Sequence, residues 1–190
     1  MLLLGLLTAY ADAGPGQAPP PLALSQEQEA ELAAGDVVVL FPDGGSAVGV
    51  IDVSATPDDV VDAVLDLEAR VEEVALLRTL TVYRDDGDVR GGLYVGGMLG
   101  IHANIHVLYQ CDRAQGWCVF SLDEAYDSSV DSAEGSYQAY AVAGGTRLVF
   151  RTTAGQDLPV PSFVRHKVQS ASVSEQLEGI AGRAEAAAAR

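Results

Sequence analysis

The stretch from Leu76 to Ala154 constrains the fold more than any other part of the chain. It divides into short runs rich in β-branched and aromatic residues, each ended by a turn signal: Asp85-Asp86-Gly87-Asp88, Gly96-Gly97, Gln115-Gly116, Asp127 through Asp131, and Gly144-Gly145. Runs joined by turns this short pair with their sequence neighbours, so the pattern predicts six strands in an antiparallel meander. Five glycines, Gly91, Gly92, Gly96, Gly97 and Gly100, fall within ten residues. Glycine inside a strand marks a bulge, a bend or a close approach of backbone, which makes the expected sheet strongly curved.

The meander gives way to a helix. Leu158-Pro159-Val160-Pro161 stops the last strand, and Ser162 caps a helix that apolar spacing carries to about Ala186. Its ~25 residues would span about 37 Å. Val164, Val168 and Ala171, then Val173, Leu177, Ile180 and Ala184, keep helical spacing with a small phase shift between the two sets. The stripe thins at Ser170, Ala171, Ser172 and Ser174. Small residues on a helix lying across a curved sheet leave unfilled volume, and an apolar volume accepts an apolar guest.

Ahead of the meander, Thr56-Pro57-Asp58-Asp59 starts a helix: Thr accepts from orphan backbone N–H groups, Pro suits the first turn, and the acids suit the helix dipole. Val60, Val64, Leu67, Val71 and Val74 give it an apolar face to about Glu73, with a break near Asp66. Residues 37–53 are β-rich but interrupted by Pro42-Asp43-Gly44-Gly45, which fits either a hairpin or one long strand broken by a wide turn. Ser25 with Gln28 forms a capping-box pattern and Gly35 a stop, predicting one short, exposed helix.

The expected architecture is therefore α+β: a curved antiparallel sheet of about seven strands wrapped around a long C-terminal helix, with two short helices after the first strand. At 190 residues the chain suits a single domain, placed at 36–186. Residues 14–35 read as a Pro/Gly-rich linker and the short helix. Residues 1–13 are apolar and end in Ala11-Asp12-Ala13, like the core and cleavage site of a secretory signal, although no basic residue precedes the run. Export to a periplasm or the extracellular space is the favoured expectation, with a cytoplasmic location as the alternative. The run is shorter than the ~20 apolar residues of a spanning helix, so no stable membrane span is expected and bilayer contact would be transient.

Eleven Lys and Arg stand against 27 Asp and Glu, for a net charge of -16. Such a surface repels phosphate backbones at long range, which excludes nucleic acid as an expected partner. Cys111 and Cys118 flank a connection containing Gly116. A four-residue loop over 113–116 sets Asp112 opposite Trp117 and Cys111 opposite Cys118, close enough for a disulfide in an oxidising compartment; two small buried thiols are the alternative. No spacing suggests a metal or cofactor site.

The order strand, helical pair, six-stranded meander and long last helix, with Val50-Ile51-Asp52-Val53-Ser54-Ala55-Thr56-Pro57-Asp58-Asp59-Val60, Asp66-Leu67-Glu68-Ala69-Arg70, Glu134-Gly135-Ser136-Tyr137, Gly145-Thr146-Arg147-Leu148 and Leu158-Pro159 through Phe163, resembles the START-like (SRPBCC) superfamily of polyketide cyclases, dehydratases, lipid-transfer and coenzyme Q-binding proteins. The resemblance covers about residues 36–185. It implies the helix-grip fold and an internal cavity for a hydrophobic ligand, and it carries no catalytic residue across, because the shared motifs describe scaffold. Two departures stand out: Val71-Glu72-Glu73-Val74 replaces an aromatic and Pro pair, and Tyr137 stands where Trp is common.

On this reading the protein binds a lipid, quinone, isoprenoid or polyketide-like molecule in an internal cavity, as a binding or a transfer protein. The alternatives are a cyclase or dehydratase using the same cavity, with a polar pair such as Tyr94 and His102, and an interaction module with a filled core. Alternation assigns Ile105, Val107, Tyr109, Phe120, Leu122, Leu148 and Phe150 to the cavity wall, with cross-strand pairs Tyr109–Phe120 and Val107–Leu122. Tyr94 and Tyr137 supply hydroxyls, and Val168, Ala171 and Ser172 line the helix side. Arg70 and Glu72 are expected at the cavity mouth, while Asp66, Glu68 and Arg70 also fit a surface ion-pair network. His102, Asn104 and His106 share the opposite, solvated face, unless a bulge reverses it. Two His four apart on a strand sit about 13 Å apart, too far for one zinc with bonds near 2 Å.

Overall fold

A computed structural model describes residues 22–42, 46–75, 77–98, 101–155 and 162–190. Residues 1–21, with the signal-like run and most of the linker, and the turns expected at 43–45 and 156–161 lie outside the described residues. The elements run α1 (Gln26–Ala33), β1 (Val38–Leu40), β2 (Ser46–Val53), α2 (Pro57–Leu65), α3 (Arg70–Glu73), β3 (Leu77–Asp85), β4 (Val89–Met98), β5 (Ile101–Asp112), β6 (Trp117–Leu122), β7 (Ser132–Val142), β8 (Gly145–Gly155) and α4 (Ser162–Ala188). The six meander strands all form.

The strands make one curved antiparallel sheet in the order β1-β2-β8-β7-β6-β5-β4-β3. Among the described residues it holds eight strands rather than about seven, because β1 and β2 are separate strands that pair antiparallel, Val38 opposite Val50 and Leu40 opposite Val48. Thr56 caps α2 as its signals require: its hydroxyl accepts from Asp59 N–H, Asp59 reaches back to Thr56, and Pro57 occupies the first turn. The helical pair breaks at Asp66 into α2 and α3. Backbone bonds from Leu67 N–H to Leu65 O and from Arg70 N–H to Leu67 O turn the chain between them.

The hollow of the sheet is filled at one end by α4. Val173, Leu177, Ile180, Ala181 and Ala184 are buried against Val60, Val64 and Leu65 of α2 and Ala47 and Ile51 of β2. Gly49 lets the helix come down onto β2, since a Cβ there would stand 2.4 Å from Val173 Cγ1 and 2.6 Å from Leu177 Cδ1. A second, smaller core lies on the outside of the sheet. Leu32 of α1 packs there on Val38, Val48, Val50 and Val149, with Leu22, Leu24, Leu40 and Tyr140 around it. The short helix is thus not simply exposed: Leu32 is 2% accessible. Arg147 clamps it by bonding both oxygens of Glu29 at 2.8 Å and both of Asp52 at 2.7 and 2.9 Å.

Candidate functional site

Inward-facing residues of β3 to β8 alternate as the sequence predicts, and register makes them rungs. Val107 opposes Leu122, Tyr109 opposes Phe120, and Cys111 opposes Cys118. Tyr94 opposes Ile105, and Tyr137 opposes Phe150. At the β2 end this face is sealed: Leu148 is wholly enclosed beneath α2 and α4, so it belongs to the packed core rather than to an open wall. Packing of α4 is concentrated on α2, α3, β1 and β2. Toward the other edge Leu80, Val82, Tyr94, Ile105, Phe120 and Leu122 face the hollow and remain half-buried. Among the described residues, apolar side chains turned inward yet incompletely covered mark an apolar recess on the β3 to β6 side of α4.

Aromatic rings form the floor of this recess. Phe120 lies 5.5 Å from Tyr109, 5.8 Å from Tyr137 and 6.0 Å from Phe150, and Tyr137 stacks on Phe150 at 4.7 Å. Val107, Tyr109, Tyr137 and Phe150 are buried. Gln176 of α4 donates to the Tyr137 hydroxyl, a bond that ties helix to sheet across the hollow. Val168 and Ser172 are half-buried, whereas Ala171 is exposed: the helical phase shift turns it away from the hollow.

Beside this floor lies Arg70, 2% accessible. It does not sit at a mouth, nor in a surface network. Its Nη1 donates to Tyr109 Oη at 2.8 Å and to Tyr94 Oη at 3.1 Å, its Nη2 donates to Val64 O at 2.5 Å, and its guanidinium lies over the Tyr109 and Tyr137 rings at 5.1 and 5.4 Å. The one-turn helix α3 begins at Arg70 and so points this side chain inward, while Glu72, two positions on, is exposed. Asp66 instead approaches Arg183 of α4 at 3.7 Å, Glu73 pairs with the same arginine, and Glu68 is exposed.

Among the described residues no carboxylate pairs with Arg70, and its Nε has no hydrogen-bond partner. A guanidinium stays charged, so a buried cation is held here by neutral phenols and one carbonyl. Burial pushes the Tyr94 hydroxyl well above its ordinary range against the opposing pull of Arg70, and burial likewise raises Tyr137. Tyr94 and Tyr109 hydroxyls stand 2.8 Å apart and share one hydrogen bond. Two phenols carry two protons, that bond uses one, and both oxygens already accept from Arg70. One phenolic proton, beside a cation, is not used by these bonds, and either hydroxyl can carry it. Tyr94 is the half-buried member of the pair.

Sequence reasoning placed Tyr94, Tyr109 and Tyr137 on this face but not Arg70 among them. The signal available was an Arg on the apolar side of the α2–α3 turn, four positions before Val74. His102 and Asn104 are exposed on the outer face, and His106 stacks there on Tyr126 at 4.7 Å, so Tyr94 and His102 do not form a catalytic pair. The third histidine, His166 of α4, stacks on Phe41 at 4.5 Å. Cys111 and Cys118 are joined in a disulfide. No helix among the described residues is long and apolar enough to cross a membrane.

No protein-family model and no curated protein matches the sequence. Solved structures do match. The STAR-related lipid transfer protein from Xanthomonas axonopodis superposes with a TM-score of 0.63 at 13% identity, over 77% of this chain and 90% of that one. A START superfamily protein from Mycobacterium smegmatis gives 0.60 at 15%, over 75% and 98%. The Zhui aromatase/cyclase from Streptomyces sp. R1128 gives 0.54 at 14%, over 76% and 93%. The chain has the START-like, helix-grip fold that these proteins share.

Proposed function

We propose that the protein binds a largely apolar small molecule carrying an acceptor oxygen, with the hydrocarbon on the aromatic floor and the oxygen at Tyr94. The observation that carries this reading is the Arg70–Tyr94–Tyr109 cluster: a buried cation without a carboxylate partner among the described residues, beside two phenols with one hydroxyl proton more than their shared bond uses. A carbonyl, quinone or carboxylate oxygen satisfies that donor, and a hydrogen bond backed by a charge is worth about 1.5–3 kcal/mol. Apolar contact adds roughly 25 cal/mol per Å² removed from water. Lipids, quinones, isoprenoids and polyketide-like molecules all meet this description, and carriage of such a molecule, exported with the protein, fits the signal-like residues 1–13. The fold neighbours include a lipid transfer protein and an aromatase/cyclase, which supports an apolar ligand in this hollow.

The second reading is catalysis of a cyclisation or dehydration. The same donor favours it, because a phenolic proton beside a cation stabilises a developing enolate oxygen. Native mass spectrometry of the full chain, before and after organic extraction, tests the first reading. A co-purified apolar compound supports it and identifies the ligand class. A clean apo mass, with no uptake of added quinone or fatty acid, refutes it.

A further inference from the structure

The disulfide lies in an open cleft, not in the core alone. Cys111 is half-buried and lines a surface cleft with Asp88, Arg113 and Trp117, at the end of the sheet where the β3–β4 and β5–β6 turns meet. Its partner Cys118 is 0% accessible. The two cysteines are thus unequal: Cys111 is the member of the pair with surface exposed, and Cys118 has none. The bond also closes a short loop that is held without it. Asp112 accepts from Gln115 N–H, Gly116 takes the left-handed conformation at φ 69°, and Ala139 N–H bonds Gly116 O at 2.7 Å. Arg113 bridges Asp62 of α2 and Asp88 of the β3–β4 turn over the cleft. By loop entropy a crosslink closing so short a loop contributes about 2.5 kcal/mol, less than a long-range bridge would, and the turn contacts remain when it is reduced.

We infer that Cys111–Cys118 is a thiol-exchange site for a dithiol reductant, and that its reduction loosens the β5–β6 rung beside Tyr109. A thiolate of the dithiol attacks Cys111 Sγ, the Sγ–Sγ bond breaks, and Cys118 leaves as a thiolate that takes up a proton. The second thiol of the reagent then displaces Cys111, so two electrons pass from the dithiol, which ends as a disulfide, to the two cysteines. Tyr109 and Phe120 form the next inward rung, two residues along each strand. Losing the covalent rung loosens the pairing next to the Tyr109 hydroxyl bonded to Arg70, while the turn contacts keep the hairpin closed.

The full wild-type chain is incubated with dithiothreitol under native conditions, alkylated at intervals and weighed, with circular dichroism recorded in parallel. Hydrogen exchange of the 107–122 peptides is compared between the oxidised and reduced protein. Both readouts are independent of any ligand, so they stand if the binding reading fails. The expected result is complete reduction while the circular dichroism of the folded chain persists, with amide exchange in 107–122 at least roughly tenfold faster. As a check on direction, Cys118→Ser should leave a Cys111 thiol that reacts readily with an aromatic disulfide reagent, and Cys111→Ser a Cys118 thiol that does not. Reduction that tracks global unfolding, or unchanged exchange in the reduced protein, overturns the inference.

Discussion

Arg70 is the residue on which the site turns. Removing it would leave the Val64 carbonyl and two phenols without their donor, so a variant there lowers stability as well as binding. Tyr94 isolates the second effect more cleanly, since Tyr94→Phe keeps the ring and the Arg70 charge and deletes one hydroxyl, with its bonds to Arg70 and Tyr109. The variant should bind an oxygen-bearing apolar ligand roughly tenfold more weakly and its hydrocarbon counterpart equally well, as titration calorimetry or dye displacement would show. Equal losses for both ligands would place the hydroxyl in packing alone. The same substitution reports on pH. Burial raises the Tyr94 hydroxyl, so the folded state holds its proton more tightly than the unfolded chain. The stability this contributes is complete below about pH 10, the ordinary phenol value, and is lost as pH rises further. Denaturant midpoints from pH 9 to 11 should fall for the wild type and fall less for Tyr94→Phe.

At the scale of elements, two glycines predict opposite outcomes. Gly49 is the point where α4 touches β2, and Gly49→Ala puts a methyl within 2.4 Å of Val173. Overpacking of this kind costs about 1–3 kcal/mol and should lower the melting temperature. Gly182 lies on the exposed side of α4 with nothing within 4 Å of an added Cβ. Gly182→Ala should therefore stabilise by up to about 1 kcal/mol through helix propensity. The α1 clasp adds a pH signature. The Arg147 hydrogen bond holds the Glu29 carboxyl below its usual range, so its contribution is present above about pH 4.3 and lost as acid protonates it. Denaturation of Glu29→Gln and wild type should differ at pH 7 and converge near pH 3; a constant difference would mean that the clasp does not act through charge.

For the whole molecule, the described residues make a sheet closed at one end and less covered at the other. The β2 end buries Val173, Leu177, Ile180 and Ala184 of α4, and the β3 end leaves Leu80, Val82, Ile105 and Leu122 half-covered. A ligand filling that end binds only the folded state, so at one hundred times its dissociation constant it should raise stability by about 2.7 kcal/mol. Thermal shift against quinones, fatty acids and isoprenoids checks this, and the ranking among them identifies the shape that the recess takes. Flat melting curves across all three classes would count against an apolar ligand.

The sequence by itself determined the elements. Short β-rich runs between turn signals, the Thr56-Pro57-Asp58-Asp59 start and the Ser162 helix each rest on interactions within a few residues, and so do the alternation of inward residues and the opposition of Cys111 and Cys118. Tertiary structure decided what depends on distance in space. Glu29 and Asp52 meet at Arg147, 118 and 95 residues away along the chain, and so bring α1 onto the outer face. Arg70 reads in sequence as one charge among Asp66 and Glu68 at a turn. Only the approach of β4 and β5 shows its guanidinium surrounded by phenols rather than water, because burial belongs to the assembled fold and no local pattern encodes it.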